Sequence, residues 1–170
     1  LSGLGSDWTL TTAGADMTVA NNGAGSLNLS NLANLNVNDD LFVATQLNSL
    51  GEISISGLGT IVNVGDDANI GQRGQAVVEI LNGGRLVSDQ TIIGDEPSGD
   101  GRVRVDGGFS LWRASSTVTV ADAGRGTLQI LNGGRVENTG GVIAQQAGSS
   151  GSVEVAGGGG VCHGLEPLPA

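Results

Sequence analysis

The sequence predicts an all-β chain wound as a right-handed parallel β-helix, a solenoid of about seven coils of about 25 residues with three short strands per coil. Three observations lead there. ILNGGRL at 80–86 returns as ILNGGRV at 130–136, fifty positions on. Between and around these copies a shorter unit restarts about every 25 residues. Within each unit apolar and polar residues alternate, which is the side-chain period of a strand. A repeat of that length cannot bury its own apolar face and must stack on its neighbours.

The first strand of each coil is the clearest. Gly51-Glu52-Ile53-Ser54-Ile55, Ala76-Val77-Val78-Glu79-Ile80, Gly101-Arg102-Val103-Arg104-Val105, Gly126-Thr127-Leu128-Gln129-Ile130 and Gly151-Ser152-Val153-Glu154-Val155 share one register, and Gly25-Ser26-Leu27-Asn28-Leu29 joins it after one inserted residue. One inward column reads Leu27, Ile53, Val78, Val103, Leu128, Val153, and the next Leu29, Ile55, Ile80, Val105, Ile130, Val155. The outward column between them is Asn28, Ser54, Glu79, Arg104, Gln129, Glu154, in which Glu79 and Arg104 read as an ion pair between adjacent coils. A second strand follows a glycine corner, with Leu35, Ile61, Leu86, Leu111, Val136 and Val161 expected inside. A third is less regular and falls at Leu41 to Val43, Ala68 to Ile70, Ile92-Ile93, Val118 and Val120, and Val142-Ile143. Equivalent strands run the same way, so the sheets are parallel, and a crossover connection of this kind is right-handed.

The corners explain the doubled period. Asn82-Gly83-Gly84 and Asn132-Gly133-Gly134 turn one kind of coil, with glycine and asparagine tolerating positive φ. The alternate coils carry Gly3-Leu4-Gly5-Ser6-Asp7-Trp8, Gly57-Leu58-Gly59-Thr60-Ile61-Val62 and Gly107-Gly108-Phe109-Ser110-Leu111-Trp112. Trp8 and Trp112 share one site, which alternates outward if Leu111 points in; covering the adjacent glycine corner is the favoured role there over an exposed binding surface.

Composition limits the function. Glycine supplies 31 residues and aromatics only 2%, which suits tight turns and an aliphatic core. The hydrophobic share of 38% separates the chain from disordered polymers. A net charge of −10, with arginine the sole basic residue type apart from one histidine, argues against nucleic-acid and anionic-membrane partners. No stretch approaches the roughly 20 apolar residues of a spanning helix, so no membrane insertion of this segment is expected. No signal peptide is visible, and any targeting segment is expected to have been removed or to lie outside the fragment.

GTLQILNGGRVENTGG (126–141), GSVEVAGGG (151–159) and the corner at 3–8 resemble the passenger-associated repeats of bacterial autotransporters and related exported β-helix surface proteins. The resemblance covers 1–160 as a single β-helix domain. It implies export, a secreted or outer-cell-surface location and a role in display or adhesion; the passenger's usual β-barrel is not among these residues. Residues 161–170 form an irregular tail that departs from the repeat.

Candidate chemistry is sparse. Cys162 and His163 are adjacent in the tail, a spacing that does not activate a thiolate, and offer too few ligands for a Cys/His metal site. Asp95, Glu96 and Asp100, with Asp66-Asp67 on the coil before, gather carboxylates, but the spacing fits a solvated acidic turn better than a calcium loop. Glu79 and Glu154 stand three coils apart, roughly 14 Å by strand spacing, too far for a hydrolytic carboxylate pair. Thr117 and Thr119 lack threonines above and below, against a flat ice-binding face. No catalytic, cofactor or metal residue is assigned. The expected function is a non-catalytic structural or adhesive segment whose partner is a host-cell or matrix ligand or glycan. The rival readings are a polysaccharide-processing or esterase-type enzyme on the same scaffold, and a filament subunit that stacks end to end through unpaired strand edges.

Overall fold

The computed structural model describes residues 1–3 and 5–157. Among them every regular element is a strand, and all strand pairs are parallel. Three six-stranded sheets wrap one core, each pairing a strand with its equivalents about 25 residues away, in a solenoid of about six turns. The first face holds Ala24–Ser30, Leu50–Ser56, Gln75–Leu81, Asp100–Asp106, Arg125–Leu131 and Ser150–Ala156. The second holds Asp7–Thr9, Asn34–Val37, Ile61–Val64, Arg85–Ser88, Leu111–Ala114 and Arg135–Glu137. The third holds Met17–Val19, Leu41–Val43, Ala68–Ile70, Thr91–Ile93, Thr117–Val120 and Gly140–Ile143. Val161, Cys162, His163 and the tail at 161–170 lie outside the described residues.

The first face follows the sequence register throughout. Leu27 pairs with Ile53, Ile53 with Val78, Val78 with Val103, Val103 with Leu128 and Leu128 with Val153. Leu29, Ile55, Ile80 and Val105 of the second inward column are buried. Aliphatic side chains of nearly constant width let successive coils stack at the spacing of a parallel sheet, which is why one residue class occupies each column.

The second face corrects the expected column. Trp8 pairs with Leu35, Leu35 with Val62, Val62 with Leu86, Leu86 with Trp112 and Trp112 with Val136. Val62 and Trp112 therefore point inward, while Ile61 and Leu111 pair with Arg85 on the outer surface. The cause is corner length. The corner from Ile80 to Leu86 is one residue shorter than those from Ile55 to Val62 and from Val105 to Trp112. A one-residue change moves every following side chain to the other face of a strand. Trp112 is 0% exposed, and its indole Nε1–H donates to Ser88 Oγ at 3.2 Å; Ser88 Oγ lies 3.0 Å from the buried Thr91 hydroxyl. The expected outward tryptophan is thus the largest side chain of the core. Trp8 belongs to the same inward column at the first rung and is 49% exposed.

The two corner types interlock. Asn82 and Asn132 adopt φ of 52° and 49°, with Gly83 and Gly133 at 88° and 85°. Each asparagine bonds the intervening coil: Asn82 Nδ2 donates to Ser56 Oγ at 3.1 Å and Asn132 Nδ2 to Asp106 Oδ1 at 2.8 Å. In the longer corners a hydroxyl closes the turn. Thr60 Oγ1 donates to Ser56 O at 3.0 Å and accepts Leu32 N–H at 3.1 Å; Ser110 Oγ donates to Asp106 O at 2.7 Å and accepts Gly83 N–H at 3.0 Å. Gly83 is required for a second reason: a Cβ there would sit 2.6 Å from Leu58 Cδ2 of the coil below. The fit is local to this pair of corners: at the equivalent Gly133 a Cβ would meet only Gly108 of the coil below, at 3.6 Å.

Candidate functional site

Two surface features stand out from the regular stack. The first is the corner between the second and third faces, where Asp16, Asp39, Asp40, Asp66, Asp67 and Asp89 line successive coils. Asp39, Asp40 and Asp66 place carboxylate oxygens within 4.8 Å of one another, as do Asp66, Asp67 and Asp89. Most of these carboxylates cap the next coil. Asp16 Oδ1 accepts Asp40 N–H at 3.2 Å, Asp40 Oδ1 accepts Asp67 N–H at 3.0 Å, Asp67 Oδ1 accepts Gln90 N–H at 3.0 Å, and Asp89 Oδ1 accepts the Ser115 hydroxyl at 2.6 Å. Desolvation, followed by the charges of Asp40, Asp16 and Asp66, holds the Asp39 carboxyl above its ordinary range. Desolvation also raises Asp67; the Gln90 N–H opposes that rise, and Asp66, Asp40 and Asp89 add to it. The arrangement is a backbone-capping ladder under like-charge repulsion.

The second feature is the outer surface of the second face. Its outward column runs Asp7, Asn34, Ile61, Arg85, Leu111, Arg135. The first half of this surface is polar, with Asn63 Nδ2 donating to Asn36 Oδ1 at 2.9 Å and Asn36 Nδ2 to Thr9 Oγ1 at 3.1 Å. The second half alternates aliphatic and cationic residues. Leu58, 64% exposed, and Phe109, 82% exposed, rise from the longer corners on either side of Gly83. With Ile61, Arg85, Leu111 and Arg135 they border a cleft of about 590 Å³. Phe109 has φ of 71°, in the place where the sister coil has Gly59 at 78°. A bulky residue in that region is an outlier, and such strain persists where the surrounding fold imposes it. Arg113 Nε and Arg135 Nη2 share Glu137 at 2.7 and 2.6 Å, and the bond from Arg113 holds the Glu137 carboxyl below its ordinary range. Arg85 Nε is buried without a hydrogen-bond partner among the described residues. Three of the seven arginines therefore stand on one face of an acidic protein.

The residues singled out in the sequence do not converge. Arg104 lies 3.5 Å from Glu79, as the register predicted, and also pairs with Asp106. Glu154 accepts from Gln129 Nε2 at 2.7 Å. The expected acidic loop is dispersed: Asp95 accepts from Asn69 at 2.6 Å, Glu96 lies 3.1 Å from Arg73, and Asp100 lies 3.5 Å from Arg102. Of that group only Asp66 and Asp67 join a carboxylate cluster, with partners on other coils. Thr119 sits between Ile92 and Val142. The sequence places Ile61 and Leu111 in the core and so does not reveal the cleft; the extra residue in their corners is the signal that puts them outside. No protein family matches the sequence, and no curated protein or solved structure is significantly similar to it.

Proposed function

We propose that this chain is a structural and adhesive β-solenoid segment of a secreted or surface-displayed bacterial protein, of the kind formed by autotransporter passenger-associated repeats. The observation that carries the reading is the contrast between a uniform core and a varied surface. The inward columns of the first face are aliphatic over every described rung, while the outward positions change from asparagine and serine to glutamate, arginine and glutamine. A scaffold whose cross-section is held constant extends by adding coils, and its surface is free to carry contacts. On that face Arg104 bridges to Glu79 and Gln129 to Glu154 between adjacent coils, which suits a self-supporting rod. Its partner would be a ligand or glycan of a cell or matrix surface.

The test is accessibility on intact cells that make the protein. Labelling with a membrane-impermeant carboxylate reagent, or shaving with protease, should reach the chain before lysis. Labelling seen only after lysis would remove the display reading.

A further inference from the structure

We infer that the cleft on the second face binds an acidic glycan in which a uronate alternates with a neutral sugar; this deepens the adhesive reading and rests on it. The geometry supplies a repeat. Ile61, Arg85, Leu111 and Arg135 occupy four successive rungs, so the cations recur every second rung with an aliphatic residue between them. Two rungs span about 9.6 Å. A partner lying along the solenoid axis therefore meets positive, apolar, positive at that interval. The period follows from the alternation of the two coil types.

The chemistry at each station is specific. Arg85 is half-buried between Ile61 and Leu111, with its Nε shielded from solvent and the rest of the guanidinium at the cleft. A carboxylate that meets the accessible end of the guanidinium forms a charge-assisted pair there. Arg135 offers the second fork, partly held by Glu137. Leu58, Leu111 and the 82% exposed Phe109 form apolar walls beside Arg85. A pyranose ring has flat C–H faces and an equatorial rim of hydroxyls. It can lay a face on those walls while its rim stays in water, gaining dispersion contacts without burying unpaired polar groups.

An extended peptide fits less well. A strand repeats its side chains on one face about every 6.8 Å, out of step with the arginines. A polyproline-type peptide repeats every three residues at about 9.3 Å, but docks on aromatic-lined grooves. This cleft has one aromatic ring and no free sheet edge.

The probe is a hyaluronan oligosaccharide, in which glucuronate alternates with N-acetylglucosamine, titrated calorimetrically into the full chain. Saturable binding is expected. Arg85→Gln should weaken it about tenfold, the loss expected for one charge-assisted hydrogen bond. Phe109→Gly should also weaken it while leaving the melting temperature unchanged or higher, because glycine takes the positive φ without strain. That pattern separates a ligand contact from a folding role. Absence of saturable binding, affinity unmoved by Arg85→Gln, or tighter binding of a polyproline-type peptide with glutamate at every third residue would each overturn the inference. Gel filtration of the recovered sugar gives the separate control: shortened chains would overturn the non-catalytic reading beneath it, whereas lack of binding leaves that reading standing.

Discussion

Trp112 shows how much one residue's orientation depends on a neighbour in sequence rather than on its own character. Its aromatic type and its alternation with Leu111 were legible, but the direction of the alternation was not, because the corner before it carries one residue more than the corner of the coil below. The first-face columns needed no such correction; their strand lengths are constant from coil to coil, so Ile80 and Val105 could be placed inside by counting. At Trp112 the burial is complete and the indole N–H is paired with Ser88. Trp112→Ala should therefore cost about 3–5 kcal/mol, the range for deleting a buried aromatic, read as a lower urea midpoint at unchanged slope. Trp8→Ala, at a site 49% exposed, should cost far less. Equal losses at the two positions would mean that the two rungs are not packed as described.

At the scale of an element, one corner and one strand face carry the groups whose titration shifts. The aspartate ladder and the Arg113–Glu137–Arg135 group respond to pH in opposite directions. The carboxyls of Asp39 and Asp67 are held above their ordinary range in the folded chain. Their ionised forms oppose folding, so that opposition is present at neutral pH. It fades as pH falls through their folded values, where the native state takes up protons before the unfolded chain does. Glu137 is held below its ordinary range. Its contribution is full above the unfolded glutamate value and is lost as pH falls through the folded one. Asp67→Asn keeps an oxygen for the Gln90 N–H and removes a charge. It should raise the melting temperature at pH 7, and the advantage should vanish once the wild-type aspartates are protonated, below about pH 4. Glu137→Gln should lower the melting temperature at pH 7, with the deficit closing in acid. Thermal scans of the three proteins across pH test both slopes, and parallel curves would refute them. The sequence displayed the Asp66-Asp67 pair but not the ladder, because Asp40 and Asp89 meet that pair only when their coils are stacked on either side of it.

At the scale of the whole molecule, the fold was visible because it is a repeated solution to one packing problem. The cleft was hidden because it arises from the difference between the repeats. That difference has a mechanical consequence. Leu58 of the longer corner packs against Gly83 of the short Asn82-Gly83-Gly84 corner above it, so this pair of corners is fitted long under short. Deleting residues 76–125 removes two coils and joins Gln75 to Gly126. It sets Gly133 and Gly134 in the places of Gly83 and Gly84, and Val136 over Val62 in the core column. Deleting residues 76–100 removes one coil and joins Gln75 to Gly101. It brings the corner Gly107-Gly108-Phe109 against Leu58, two long corners in succession, with Phe109 already held at φ of 71°. The shorter rod made by the larger deletion should keep a single β-sheet melt. The longer rod made by the smaller deletion should melt lower and over a broader range, although it retains more strands and keeps Trp112. In a solenoid governed only by the number of coils, stability rises with length, and the order would be reversed. Circular dichroism melts of the two proteins therefore decide whether the unit of this molecule is the coil or the pair of coils.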